Sequence, residues 1–182
     1  MNKYKILNTK TVFKSAKVQV DRETVGLPNG NTADWDVMVY PNFYCGVTIT
    51  SDEKVLMTRE WRQGPHDLLT QFTAARAEHQ AEEENLLELK RELKEELGVE
   101  DGKFEKIISF AQGTRLTGFR TVYFVTNFAL GKTDRDENEI QEIISLPIKG
   151  LYSELSKNHI TTSETLLIAK LLEENYTNGK QL

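Results

Sequence analysis

The chain of 182 residues has a single cysteine, Cys45. That excludes an intramolecular disulfide and any zinc site built from cysteines. It contains no run of eighteen apolar residues, so no transmembrane helix and no membrane partner are expected. The opening stretch MNKYKILNTKTVFKS carries lysines without a continuous apolar segment behind them, which does not read as a secretory signal. Cationic charge is in deficit, with 23 Lys plus Arg against 28 Asp plus Glu and a formal net charge of -5. This balance argues against gripping nucleic acid through a broad basic surface. There are four prolines, and none falls between His66 and Leu146. Low-complexity tracts and internal repeats are missing too. What remains is 38% apolar and 28% charged, enough apolar residue for a packed core. We expect a mildly acidic cytoplasmic protein of one domain, or one domain and a short arm.

The first forty residues read as strands. Val12, Phe13, Val18 and Val20 have β-forming surroundings, and Leu27-Pro28-Asn29-Gly30-Asn31 marks a turn, with Asn-Gly suited to a primed hairpin turn. Trp35 to Tyr40 forms the return. Phe43 to Thr50 is mostly apolar and fits a central strand buried on both faces. After the Ser51-Asp52-Glu53 turn, Lys54 to Trp61 is the next strand. Gln63 to Gln80 reads as irregular. Glu82 to Leu97 is helical, with Leu86, Leu89, Leu93 and Leu97 on one stripe and Gly98 as its C-terminal cap. Strands follow near Phe104 to Phe110 and Thr121 to Ala129. Ile148 to Leu155 and Ser163 to Tyr176 are expected as helices, the latter capped by Thr161, Thr162 or Ser163. This order suits an α/β or α+β layered fold with a mixed sheet.

The helix over 82–97 carries the chemistry. At about 100° per residue, Glu88, Glu92, Glu95 and Glu96 fall within about one quarter of its circumference, beside the leucine stripe. Like charges at such spacings oppose helix formation by a few tenths of a kcal/mol per pair. A divalent cation reverses that sign, and rigidly mounted carboxylates suit a hard ion such as Mg²⁺ or Mn²⁺. On charge pattern alone, a solvated face offset by Lys90 and Lys94 is the simpler alternative.

The order of residues adds more. Arg91-Glu92-Leu93-Lys94-Glu95-Glu96-Leu97-Gly98-Val99 resembles the second half of the Nudix box, and the isolated glutamate of that box falls on Glu83. The box's opening glycine falls on Ala77, the one specified position that differs. The resemblance implies a Nudix-type α/β/α sandwich with a mixed sheet and an N-terminal antiparallel β hairpin. It implies hydrolysis of a nucleoside diphosphate linked to another group. By the match, Glu92 and Glu96 are metal ligands, Glu95 shares the metals, and a backbone carbonyl near Ala74 or Ala75 completes the shell. Arg91 orients the glutamates through charge-assisted hydrogen bonds, and Glu83 favours the helix N-terminus. The bound cation neutralises the pyrophosphate and acidifies a water, whose proton a carboxylate outside the helix accepts.

The rest of the chain is most similar to the ADP-ribose and nucleotide-sugar pyrophosphatase branch of that family. Leu27-Pro28-Asn29-Gly30 resembles its N-terminal hairpin. Val55-Leu56-Met57-Thr58-Arg59-Glu60-Trp61-Arg62 resembles its apolar strand followed by Gln-Tyr-Arg, with Trp61 at the aromatic position. Asp136-Glu137-Asn138-Glu139 resembles its acidic loop, which makes Glu137 and Glu139 candidates for the base. Arg59, Trp61, Arg62 and Arg115 are candidates for holding substrate. The branch implies a homodimer, with residues 1–40 as a β-hairpin arm in the interface and 41–182 as the hydrolase domain. Alternatives stay open: Trp61 as plain packing, the acidic loop as a solvated turn, Arg59 and Arg62 as caps of the sheet end. His66, His79 and His159 lack metal spacing and read as surface residues, while Cys45 reads as a small buried hydrophobe.

Two departures matter. Ala77 replaces a glycine, and alanine adopts positive φ at a cost, so the loop backbone is expected to differ or be strained. Ala111-Gln112-Gly113-Thr114-Arg115 and Gly118-Phe119-Arg120 lack the proline and acidic residue the branch carries there. Three functions therefore compete: a pyrophosphatase of ADP-ribose or a nucleotide sugar, a Nudix hydrolase of another specificity (a nucleoside triphosphate, a dinucleoside polyphosphate or capped RNA), and a non-catalytic nucleotide-binding domain.

Overall fold

The computed structural model describes residues 4–177; the outermost ends of both expected segments, 1–40 and 41–182, lie outside the described residues. The described residues form two compact units, one made of residues 4–42 and 110–120, the other of 43–109 and 121–177.

The first unit is a three-stranded antiparallel sheet of β1 (Lys5–Lys14), β2 (Gln19–Gly26) and β3 (Thr32–Val39). The expected hairpin is β2–β3, and β1 adds a third strand whose residues are all exposed. Its turn differs from the primed type. Gly30 N–H donates to the Leu27 carbonyl at 3.0 Å, and only Gly30, at φ 87, is left-handed. Pro28 presets the φ of an ordinary turn and Gly30 supplies the left-handed residue after it, so Asn29 need not leave the favoured region.

The second unit is built on a seven-stranded sheet: β4 (Asn42–Ile49), β5 (Lys54–Arg62), β6 (Asp67–Gln71), β7 (Ala74–Ala77), β9 (Lys103–Ala111), β10 (Phe119–Thr126) and β12 (Ile140–Pro147). The path is β12-β5-β4-β10-β9, with β6 on β5 and β7 on β4. A small ribbon pairs β8 (Val99–Glu100) with β11 (Ala129–Leu130). β4 is buried from Tyr44 to Ile49, as a doubly covered central strand should be. Alternation divides its neighbours between two faces. Tyr44, Leu56, Tyr123 and Val125 face one way and pack on Leu89, Leu93 and Leu97 of α1 (Glu82–Leu97). Each leucine buried there contributes about 1.5–3 kcal/mol relative to exposure. The alternate residues Val47, Val55, Met57, Val122 and Phe124 are buried too, as are Leu151 and Leu155 of α2 (Leu151–Asn158) and Ile168 and Leu172 of α3 (Ser163–Thr177). This is the expected mixed α+β sandwich. None of the described helices is long and apolar enough to cross a membrane.

Three corrections concern the elements. The stretch read as irregular holds β6 and β7. The region between the acidic loop and the last helices holds β12, an edge strand whose alternation is diluted by Gln141, Glu142 and Ser145. α2 begins at Leu151, after Gly150 in the left-handed region, and Ile148 N–H instead donates to the Glu53 carbonyl at 3.0 Å. The last helix starts as expected, with Thr162 Oγ1 accepting from Thr165 N–H at 3.1 Å.

Candidate active site

α1 is seated at both ends. At its start, Asn85 is buried; its Oδ1 accepts from His79 N–H at 2.9 Å, and its amide donates to the His79 and Ala81 carbonyls. Ala81 offers no side-chain cap, so Glu82, Glu83 and Glu84 in the first turn supply the charge that the helix N-terminus favours. Tyr123 Oη and Lys106 Nζ each donate to Glu82 at 2.8 Å. These bonds, Lys106 first, hold the Glu82 carboxyl below its ordinary range. At the other end Gly98, at φ 71, returns its N–H to the Lys94 carbonyl at 2.9 Å. A side chain there would meet the Gly131 carbonyl, so the cap is restricted to glycine twice over.

The carboxylates lie together on one flank. Arg91 donates through Nε to Glu88 at 3.0 Å, through one terminal nitrogen to Glu95 at 2.7 Å, and through the other to Glu92. These bonds, Glu95 and Glu88 foremost, push the guanidinium pKa up. Glu96 stands apart, at the border between this flank and the leucine core. Burial pushes its carboxyl up to about 8; the charges of Glu60 and Glu92 add to the rise, while Thr73 and Arg62 oppose it. Its Oε2 is buried and completes no hydrogen bond, and the nearby Thr73 hydroxyl is in the same condition.

Glu60 was not singled out from the sequence. Leu56 packs on α1, so Thr58, Glu60 and Arg62 share its face of β5. Glu60 is 3% exposed, accepts from Thr58 Oγ1, and pairs with Arg62. Arg62 also reaches Glu139 Oε1 at 3.4 Å, and Glu139 carbonyl accepts from Trp61 N–H at 3.2 Å. A glutamate alternating with buried residues on a strand that must face a helix was the signal available for Glu60.

The other candidates are distributed as follows. Ala75 is buried on β7, which packs against α1. Arg59 and Trp61 lie on the opposite face of β5 from Arg62; Arg59 pairs with Glu142 at 3.0 Å and Trp61 is 42% exposed. Glu137 is exposed in the acidic loop, where Asp136 is the organiser: its carboxylate accepts from Asn138 N–H and Nδ2, and its carbonyl from Glu139 and Ile140 N–H. Arg115 belongs to the first unit, where its charge helps lower the Asp36 carboxyl after the Arg22 hydrogen bond. His66 and His79 are exposed, whereas His159 is half-buried with Nδ1 2.9 Å from Thr70 Oγ1. Cys45 is buried, 1% exposed.

Of the two outcomes expected at Ala77, a different backbone or a strained one, strain is not found. Ala74 to Ala77 run as extended β7, and none of them has positive φ. A residue with a Cβ fits an extended backbone without penalty.

Among the described residues, no three His, Cys, Asp or Glu side chains already stand close enough to hold a metal ion. Arg91 engages three of the carboxylates instead. The donors are nonetheless all oxygens, and the buried, unbonded Glu96 Oε2 is the kind of group a hard cation satisfies. The residues present fit a divalent ion once Glu92 leaves Arg91.

No protein-family model matches the chain. It is 25% identical over 173 residues to the methanol dehydrogenase activator of Bacillus methanolicus, covering 93% of this chain and 92% of that one. It is 22% identical over 175 residues to the ADP-ribose pyrophosphatase of Bacillus subtilis (strain 168), with the same coverage. A solved structure described as an ADP compounds hydrolase superposes with a TM-score of 0.81 at 17% identity, over 100% of this chain and 97% of that chain. The fold and the glutamate helix agree with what the resemblance to Nudix proteins implies. An ADP-ribose pyrophosphatase and an ADP compounds hydrolase are thus among the proteins it resembles over nearly their whole length.

Proposed function

We propose that this protein hydrolyses the pyrophosphate bond of ADP-ribose or a related nucleotide sugar, giving a nucleoside monophosphate and a sugar phosphate. The observation that carries the reading is the flank of α1 on which Arg91 gathers Glu88, Glu92 and Glu95 beside Glu96, whose Oε2 is buried and unbonded. In this reading Glu92 and Glu96 hold Mg²⁺ or Mn²⁺, with Glu95 and the Ala75 carbonyl contributing. The bound cation supplies charge neutralisation and an acidified water. Arg91 keeps the glutamates oriented, and Arg62 fixes Glu139 and counters the charge of Glu60 and Glu96. Glu137 or Glu139 accepts the water proton. Arg59 and Trp61 are the remaining substrate contacts. Residues 1–40 serve as the arm of a homodimer and 41–182 as the hydrolase domain. Exposed Ile6, Leu7 and Phe13 on β1 support that pairing. The single buried cysteine supports a cytoplasmic setting.

A second reading, a nucleotide-binding domain without turnover, draws on the carboxylates tied to Arg91. Incubation with ADP-ribose, nucleotide sugars, nucleoside triphosphates, dinucleoside polyphosphates and capped RNA in Mg²⁺ separates the readings. Release of AMP from ADP-ribose, lost in Glu96→Gln, supports the first. Tight ADP-ribose binding with no product supports the second, and turnover confined to another substrate class reassigns the specificity.

A further inference from the structure

The acidic loop of residues 134–139 contains one cation, Arg135, among Asp134, Asp136, Glu137 and Glu139. In an exposed loop of this composition an arginine ordinarily pairs with a neighbour. Among the described residues Arg135 makes no ion pair, and its Nε is buried without a hydrogen-bond partner. Two of the local acids are engaged elsewhere: Asp136 caps Asn138, and Glu139 faces Arg62. The position is held from both sides. Asp134 N–H donates to the Glu95 carbonyl at 2.8 Å, which fastens the loop to the last turn of α1, and Asp136 closes the turn that follows. The arginine stem is thus fixed beside the end of the glutamate helix while its guanidinium fork is left unmatched. Leaving a buried donor unsatisfied opposes folding, so such a group in a native fold calls for a partner.

We infer that Arg135 binds a phosphate group of the substrate. The planar fork matches two phosphate oxygens at once, which a lysine does not reproduce. The inference rests on the diphosphate reading above and sharpens it: the acidic loop contributes phosphate recognition by a cation as well as carboxylates. A cation near a helix C-terminus also interacts favourably with the helix dipole, and the test separates this structural role from ligand binding.

The experiment uses the full chain with Arg135→Gln and Arg135→Lys. Steady-state kinetics on ADP-ribose with Mg²⁺ is combined with calorimetric binding of ADP to the metal-free protein and with thermal melting. Arg135→Gln is expected to raise KM about tenfold or more, with kcat changed far less, and to weaken ADP binding by a similar factor. Arg135→Lys recovers part of both losses, and all three proteins melt alike. Unchanged KM and ADP affinity in Arg135→Gln, with the wild type active, overturn the inference and leave the hydrolase reading intact. A lowered melting temperature with unchanged ADP affinity assigns Arg135 to the helix end and also overturns it. Arg135-dependent ADP binding in a wild type that turns over nothing supports the inference while removing the hydrolase reading. A wild type that neither binds ADP nor turns over ADP-ribose removes both.

Discussion

The two flanks of α1 both carry charged residues and behave differently. On one flank Lys94 pairs with Glu100 at 3.1 Å, and Lys90 lies 5.1 Å from the centre of the Phe104 ring. Each charge there has a partner and faces solvent, which makes an ordinary surface. On the other flank three glutamates share one arginine, and a fourth, Glu96, has an oxygen buried with nothing bonded to it. Glu60 and Arg62 of β5 lie behind it. Charge density alone does not distinguish a site from a surface; the distinguishing feature is charge left uncompensated where water is excluded.

The contrast can be broken most sharply at Glu96. Glu96→Gln keeps the shape and removes the charge, and turnover of ADP-ribose is expected to fall at least about a hundredfold. Activity within threefold of wild type in a folded variant would place the chemistry elsewhere. Arg62→Met comes next. It strands the Glu60 charge and should lower unfolding free energy by about 2 kcal/mol, less than for a fully buried pair because Arg62 is 40% exposed. Denaturant melts with and without Mg²⁺ check this, the cation restoring part of the loss. Ala77→Gly tests the one position that departs from the Nudix box. In an extended strand glycine should cost about 0.5–1 kcal/mol, with no gain in turnover; a more active variant would contradict the strand geometry of β7. The smallest effect is on the basic flank, where Lys94→Ala should change stability by less than about 0.5 kcal/mol and leave KM unmoved.

α1 was legible because three independent signals coincide over 82–98: a leucine period, a glycine stop and the ordered glutamates. Central β4 was legible from an unbroken apolar run. β7 was not, because Ala-Ala-Arg-Ala has no branched or aromatic residue and becomes a strand only by pairing with β4 and packing under α1. β12 was obscured by its place at the sheet edge, where one face stays polar. Within the site, Arg91, Glu92, Glu95 and Glu96 were visible as a motif on one element. Glu60 was not, since its burial depends on which face of β5 the helix covers. Arg135 is not legible because in sequence it looks already neutralised by its neighbours; the fold shows Asp136 and Glu139 engaged elsewhere and the Arg135 Nε buried without a partner. The turn at Pro28 to Gly30 was located correctly but given the wrong type, because Asn-Gly was weighed without the proline before it.

The account turns on whether this flank binds a divalent cation, and calorimetric titration of Mn²⁺ into the wild type and Glu96→Gln measures that directly. Saturable binding to the wild type, weakened at least about tenfold in Glu96→Gln with the fold intact, is the predicted result. No binding, or equal affinity in both proteins, would contradict it.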